Sequence, residues 1–141
     1  MTGRIFRRES DAAPRAFVWA GWILMVLTCY GCLLWFGRNI PLTEDWLLVP
    51  GLTGHDPHFW GSLWEQNSEH RVPFPRLLLI GVLRLANGDF RAGMVLNVAM
   101  LSAMAAALIG LARRVRGGRT IYADFFVPLA LLHLGNWENL F

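Results

Sequence analysis

Apolar residues along the chain are bunched into long runs, with the polar residues gathered between them. From Ala16 to Phe36 there are 21 residues without a charge, enough to cross a hydrocarbon core of about 30 Å at about 1.5 Å per residue. Arg4, Arg7, Arg8 and Arg15 precede this run, and Trp19, Trp22 and Trp35 stand near its ends, where indole rings anchor a span at the membrane–water boundary. A signal peptide would carry a shorter apolar core of about 7–15 residues and a small-residue cleavage site, which this run does not show. A second run, Phe90 to Ala112, follows Gly88 and Asp89. Gly88 suits the close of a preceding helix and Asp89 the N-cap of a new one. The run ends in Arg113, Arg114, Arg116 and Arg119 around Gly117 and Gly118. With both arginine clusters on one side, the positive-inside rule predicts a cytoplasmic N-terminus (1–15), an external loop (37–88) and a cytoplasmic turn (113–120).

A third run begins at Ile121, is interrupted by Pro128, and meets His133, Asn136, Trp137 and Glu138 before Phe141. It predicts a third, incomplete transmembrane helix over 121–141 and a chain that is the front portion of a larger protein. The competing expectation is a short protein whose last helix lies in the membrane interface. Within the loop, Asp56-Pro57 reads as an N-cap with proline at the first helical position. It opens a helix over about 57–66 that places Phe59, Trp60, Leu63 and Trp64 on one face, a stripe suited to the membrane interface. A second loop helix, about 75–87, is too short to span. It is expected to lie along the outer leaflet with Arg76 and Arg84 snorkelling to the surface. The pattern is therefore all-α: a polytopic helical membrane protein with two full spans (16–36 and 90–112), a partial third, and interfacial helices in the first external loop.

Composition agrees with the pattern. Apolar residues make up 55% and charged residues 16%, against roughly 45–50% and 25% in a soluble domain. All 13 basic residues are arginine, a bias consistent with a GC-rich bacterial genome. The net charge of +3 sits at the ends of apolar runs and forms no basic stripe with accessible aromatics, so no nucleic-acid partner is expected. Cys29 and Cys32 lie inside the first run. There a thiol packs as a small hydrophobe, with a redox pair or a lipoprotein cysteine at Cys32 as the alternatives. Ala99, Ala103 and Ala107, like Ser102, Ala106 and Gly110, recur every four residues. Small residues so spaced let helix backbones approach in lipid, which predicts other transmembrane helices as partners of that face.

Candidate chemistry concentrates in the loop. Glu44 and Asp45 are adjacent acids just past the first span, either solvated surface charge or a carboxylate able to take a proton from a lipid-borne acceptor. Desolvation beside Trp46 and the membrane would raise such a carboxyl toward a useful range. Glu69, His70 and Arg71 precede Pro73 and Pro75, and proline pushes its preceding residue, here Val72 and Phe74, toward extended backbone. The guanidinium fork and imidazole suit a phosphate; salt bridges tying the loop to itself suit the same residues. His55, Asp56, His58 and His70 have no fixed face on which to gather around a metal, so no metal site is expected there and no cofactor is expected, with a divalent metal as the open alternative. Asp124 would cost about 2.5–3.5 kcal/mol at the middle of a span, but it stands close enough to Arg119 to reach water or an arginine in a structural role. Asn97 suits a hydrogen bond across helices.

The order of these features resembles the N-terminal part of GT-C type glycosyltransferases. It is similar above all to bacterial polytopic proteins with an Asp-Trp after the first span, an Asn-x-Glu-His-Arg-x-Pro-x-Pro-Arg stretch and an external Glu-Asn. Here these are Asp45-Trp46, Asn67 to Arg76, and Glu138-Asn139. The resemblance implies a bacterial inner-membrane enzyme that transfers a sugar from a polyprenyl-phosphate donor on the external face. It implies Asp45 as the catalytic carboxylate, Glu44 as its alternate, and Glu69, His70, Arg71 and Arg76 on the donor. Better-known members carry Glu-Lys-Pro-Pro where this chain has Glu69 to Arg71, without the lysine and with an additional residue before the proline. The alternative expectation is a non-catalytic membrane scaffold or accessory subunit.

Overall fold

The computed structural model describes residues 11–41, 43–65 and 72–136. Their regular structure is helical, and no strand occurs among them. Helix α1 runs Ala12–Phe36 and helix α5 runs Arg91–Val115, each 25 residues. The loop between them folds as a 3-10 segment, Thr43–Leu48, followed by short helices α2 (Val49–Thr53) and α3 (Phe59–Ser62) and the longer α4 (Pro73–Leu85). After α5 come a 3-10 turn, Tyr122–Phe125, helix α6 (Phe126–Leu132) and a last 3-10 turn, Leu134–Asn136. Glu69, His70 and Arg71, and with them Trp137 to Phe141, lie outside the described residues.

Both long helices have the length and apolarity to cross a membrane. A core helix of a soluble protein passes the same test, but it would be buried. Only 17% of the apolar window in α1 and 28% of that in α5 is buried, leaving Leu24, Leu27 and Leu34 more than 60% exposed. Water would penalise that much aliphatic surface, at about 25 cal/mol per Å²; a hydrocarbon environment would not. The observed bounds extend the expected span 16–36 by one turn at its start and move 90–112 three residues onward at its end.

Two compact units divide the chain, one of residues 1–31 and 98–140, the other chiefly 32–97. In the first, Val18 and Cys29 on α1, Val98, Ala105 and Ile109 on α5, and Leu132 on α6 are buried. The spacing of Val98, Ser102, Ala105 and Ile109 is that of one helical face. Gly21 lets α1 meet the Phe125 ring so closely that a Cβ there would collide with it. Trp22 Nε1 donates to the Ser102 carbonyl at 3.1 Å, so this indole is a tie within the unit as well as an apolar body. Cys29 is fully buried and its Sγ lies 3.2 Å from the Leu132 carbonyl; neither cysteine forms a disulfide. Asp124, 3% exposed, accepts from Arg116 Nη1 at 2.6 and 2.7 Å and from the Ile121 N–H, the structural arginine contact that its position suggests. Asn97, by contrast, is exposed on α5. The face that packs is the one carrying Ser102, and Ala99, Ala103 and Ala107 are exposed.

The second unit has a small core of Leu48, Leu63, Ile80 and Leu83, against which Leu52, Phe59, Leu79 and Phe90 pack. Proline shapes α4 differently from expectation. Pro73 and Pro75 occupy its first turn, and Phe74 between them is helical rather than extended. First-turn amides have no partner within the helix, so a missing N–H there loses nothing. Val72, at φ −124° and ψ 56°, is the cap residue. The helix closes at Gly88, φ +80°, whose N–H reaches the Leu83 carbonyl at 2.7 Å. Asp89 then caps α5 by accepting the Arg91 N–H at 3.0 Å, and Asn39 Oδ1 accepts the Phe90 N–H at 2.8 Å.

Candidate functional site

The loop unit carries a half-open cavity of about 310 Å³, lined by Trp46, Asp56, Ser62, Glu65, Arg76 and Ile80 among others. Its parts come from three places in the chain. The 3-10 segment Thr43–Leu48 brings Trp46, 59% exposed, to the cavity rim, while Asp45, half-buried and next to it in the chain, is not among the lining residues. The turn before α3 brings Asp56. Pro57 follows it, but the helix opens only at Phe59 and spans four residues, not 57–66. The carboxylate still organises the turn: Oδ1 accepts the His58 N–H at 2.9 Å and Oδ2 accepts the Ser62 hydroxyl at 2.5 Å. The hydroxyl first, and the His58 N–H second, hold the Asp56 carboxyl below the ordinary carboxylate range. A carboxyl lowered on folding contributes stability above its unfolded value, near 4, and loses it as pH falls through the lowered value. Amide-exchange protection of Ser62 and Leu63 should therefore be level from pH 7 to 5 and fall below about pH 4. Protection already lost by pH 5 would show that this carboxylate does not order the turn.

Helix α4 supplies the third part. Arg76, Ile80 and Leu83 fall on its buried face, so Arg76 points inward and does not snorkel. It is 8% exposed, and its Nη1 donates to the Ser62 carbonyl at 2.7 Å and the Glu65 carbonyl at 3.1 Å. No carboxylate among the described residues lies within ion-pair distance of it. A buried charge is normally compensated, because leaving water costs several kcal/mol per ion. Carbonyl dipoles do part of this, and Arg76 also lines the cavity. Arg84 is exposed, as expected, but it also ties back to the unit: its Nη2 donates to the Gly51 carbonyl at 2.7 Å and its guanidinium lies 5.6 Å from the Phe59 ring centre. A Cβ at Gly51 would meet Ile80 Cδ1 at 3.3 Å and Phe59 Cε2 at 3.4 Å, so a side chain there would press on the core.

Of the residues singled out from sequence, Asp45 and Arg76 are both placed in this unit, while the Glu44 side chain and Glu69, His70 and Arg71 are outside the described residues. The aromatic stripe divides: Leu63 is buried and Phe59 packs on the core, whereas Trp60 and Trp64 are 72% and 60% exposed. Ser62 and Glu65 were not foreseen as lining residues. The spacing of Asp56 to Ser62 carries the only local signal, a carboxylate with a hydroxyl one short helix away. Among the described residues no three His, Cys, Asp or Glu side chains gather as a metal site, and His55 Nδ1 is instead 3.1 Å from the Thr53 carbonyl. Compared with protein-family models, with curated proteins and with solved structures, the chain matches none.

Proposed function

We propose that the chain works as part of a multi-pass inner-membrane glycosyltransferase, supplying the acid and a phosphate-holding residue for sugar transfer from a polyprenyl-phosphate donor. The observation that carries this reading is the buried Arg76 guanidinium, lining a cavity and lacking a carboxylate partner among the described residues. A phosphate oxygen is a suitable ligand for its free edge, because guanidinium–phosphate bonds are charge-assisted and directional. Asp45 takes the proton of the acceptor hydroxyl as that oxygen bonds to the anomeric carbon of the sugar. The bond from that carbon to the phosphate oxygen breaks, and the charge left on the polyprenyl phosphate falls to Arg76, assisted by His70 and Arg71.

The topology proposed with it has α1 and α5 as spans, a cytoplasmic N-terminus and the loop unit outside. Supporting it, Asp11 at the start of α1 accepts the Thr120 N–H at 2.6 Å and lies 3.6 Å from Arg113 Nη2. The start of α1 and the end of α5 are thus adjacent, which supports assigning both to the arginine-rich, cytoplasmic side. A second reading, a non-catalytic scaffold, is favoured by the two carbonyls Arg76 joins, which would make it a strut. The deciding assay is transfer of labelled sugar from a polyprenyl-phosphate donor by membranes holding the chain. Dependence on both Asp45 and Arg76 supports the enzyme; transfer indifferent to both contradicts it.

A further inference from the structure

The unit formed by residues 1–31 and 98–140 carries a charged end whose ion pairs do not balance. Its two described acids are Asp11 and Asp124. Asp11 takes the Thr120 N–H and Arg113, and Asp124 takes Arg116 and the Ile121 N–H. Arg113 Nε further donates to the Gly118 carbonyl at 3.0 Å. Three arginines at the same end remain exposed with no carboxylate partner among the described residues: Arg15, Arg114 and Arg119. Their placement follows from contacts already given. The Arg15 N–H bonds to the Asp11 carbonyl, one turn along α1, and Arg114 and Arg119 adjoin Arg113 and Thr120, which Asp11 holds.

Aromatic residues flank the same end. Phe17 meets Tyr122 and Phe125 edge-on, with ring centres 5.4 and 5.3 Å apart. Phe17, Tyr122 and Phe126 are 49%, 57% and 70% exposed. Exposed rings beside uncompensated guanidinium groups, where apolar helices end, match the chemistry of a phospholipid headgroup layer. We infer that this end binds anionic phospholipid headgroups. Arg15, Arg114 and Arg119 donate to their phosphate oxygens, with Phe17 and Tyr122 seated at headgroup depth. Zwitterionic headgroups serve less well, because their own cation offsets the phosphate charge. The inference rests on the membrane-spanning part of the proposed function and not on sugar transfer.

The test uses the full chain reconstituted in bilayers containing spin-labelled phosphatidylglycerol or phosphatidylcholine, with the motionally restricted fraction of each label read by electron paramagnetic resonance. Attraction near a charged surface is worth about fivefold per arginine, so phosphatidylglycerol should be preferred by about tenfold or more at low salt. Added salt should reduce the preference, and the triple variant R15Q/R114Q/R119Q should bring it close to one. Restricted phosphatidylcholine in both proteins shows that each sits in the bilayer; its absence would contradict the membrane reading beneath the inference. Restricted phosphatidylcholine with no anionic preference in the original chain, or a preference that survives the triple substitution, overturns the inference itself.

Discussion

Asn in place of Asp45 should lower sugar transfer by about 10²–10⁴-fold, the contribution usual for a positioned general base. The substitution keeps the size of the side chain and one acceptor oxygen, so the 3-10 segment Thr43–Leu48 that carries it should keep its shape. What it removes is the ability to take the acceptor proton. The loss should appear in the rate at saturating donor and leave donor binding nearly unchanged, because the proposed mechanism has Asp45 act on the acceptor hydroxyl and not on the phosphate. Glu44→Gln separates the neighbours: if Asp45 is the base, this variant should transfer within a few-fold of the original rate. A full effect at Glu44 with none at Asp45 would exchange their roles, and normal transfer by both variants would remove the acid from the mechanism.

Arg76→Leu is expected to separate binding from stability, in a direction set by two opposed magnitudes. The variant loses two charge-assisted hydrogen bonds, to the Ser62 and Glu65 carbonyls, each worth about 1.5–3 kcal/mol. It also removes a buried cation with no carboxylate partner among the described residues, whose desolvation costs several kcal/mol. It places an apolar side chain on the face shared with Ile80 and Leu83, worth about 1.5–3 kcal/mol if fully buried. Glu65 is exposed, so water can take over one of the orphaned carbonyls. The sum is close to zero: local stability over 59–65 and 76–85, read by amide exchange, should change by less than about 1 kcal/mol. Binding of a polyprenyl monophosphate should weaken tenfold or more, which is about 1.4 kcal/mol. Arg76→Lys should fall between, keeping the charge without the fork. Glu65→Gln, which removes an opposing charge from the lining, should tighten binding. A strut would behave differently, with Arg76→Leu unfolding the loop unit while the original chain shows no saturable phosphate binding.

The long helices were legible because length and apolarity alone define them, and their observed ends moved only by a turn or less. The buried face of α4 was not legible, because that helix is apolar on several sides. Leu77 and Leu78 are 43% and 48% exposed and Leu85 is 88% exposed, while Arg76 is buried. Apolarity therefore could not tell the inner face from the outer, and the general habit of arginine to snorkel pointed the wrong way. The same ambiguity joined Phe59 and Leu63 to Trp60 and Trp64, whose adjacent positions give two faces with opposite environments. In α5 the small residues at 99, 103 and 107 and those at 102, 106 and 110 carry the same four-residue period, and only the packing shows that the Ser102 face is engaged within the chain. In the loop unit, Asp45 was marked by its place after a span and Arg76 by its motif. The cavity itself, made by Asp56, Ser62 and Glu65, depends on contacts between separate short helices that no local spacing encodes.

Everything proposed for the loop unit depends on its lying outside the membrane while the arginine turn lies inside. Single cysteines at His55, exposed in the loop, and at Val115, exposed at the end of α5, report the two places directly in intact cells with a membrane-impermeant maleimide. Cysteine at position 55 should label in intact cells, and cysteine at position 115 only after the membrane is opened. Labelling of both in intact cells, of neither, or of position 115 alone would contradict the account.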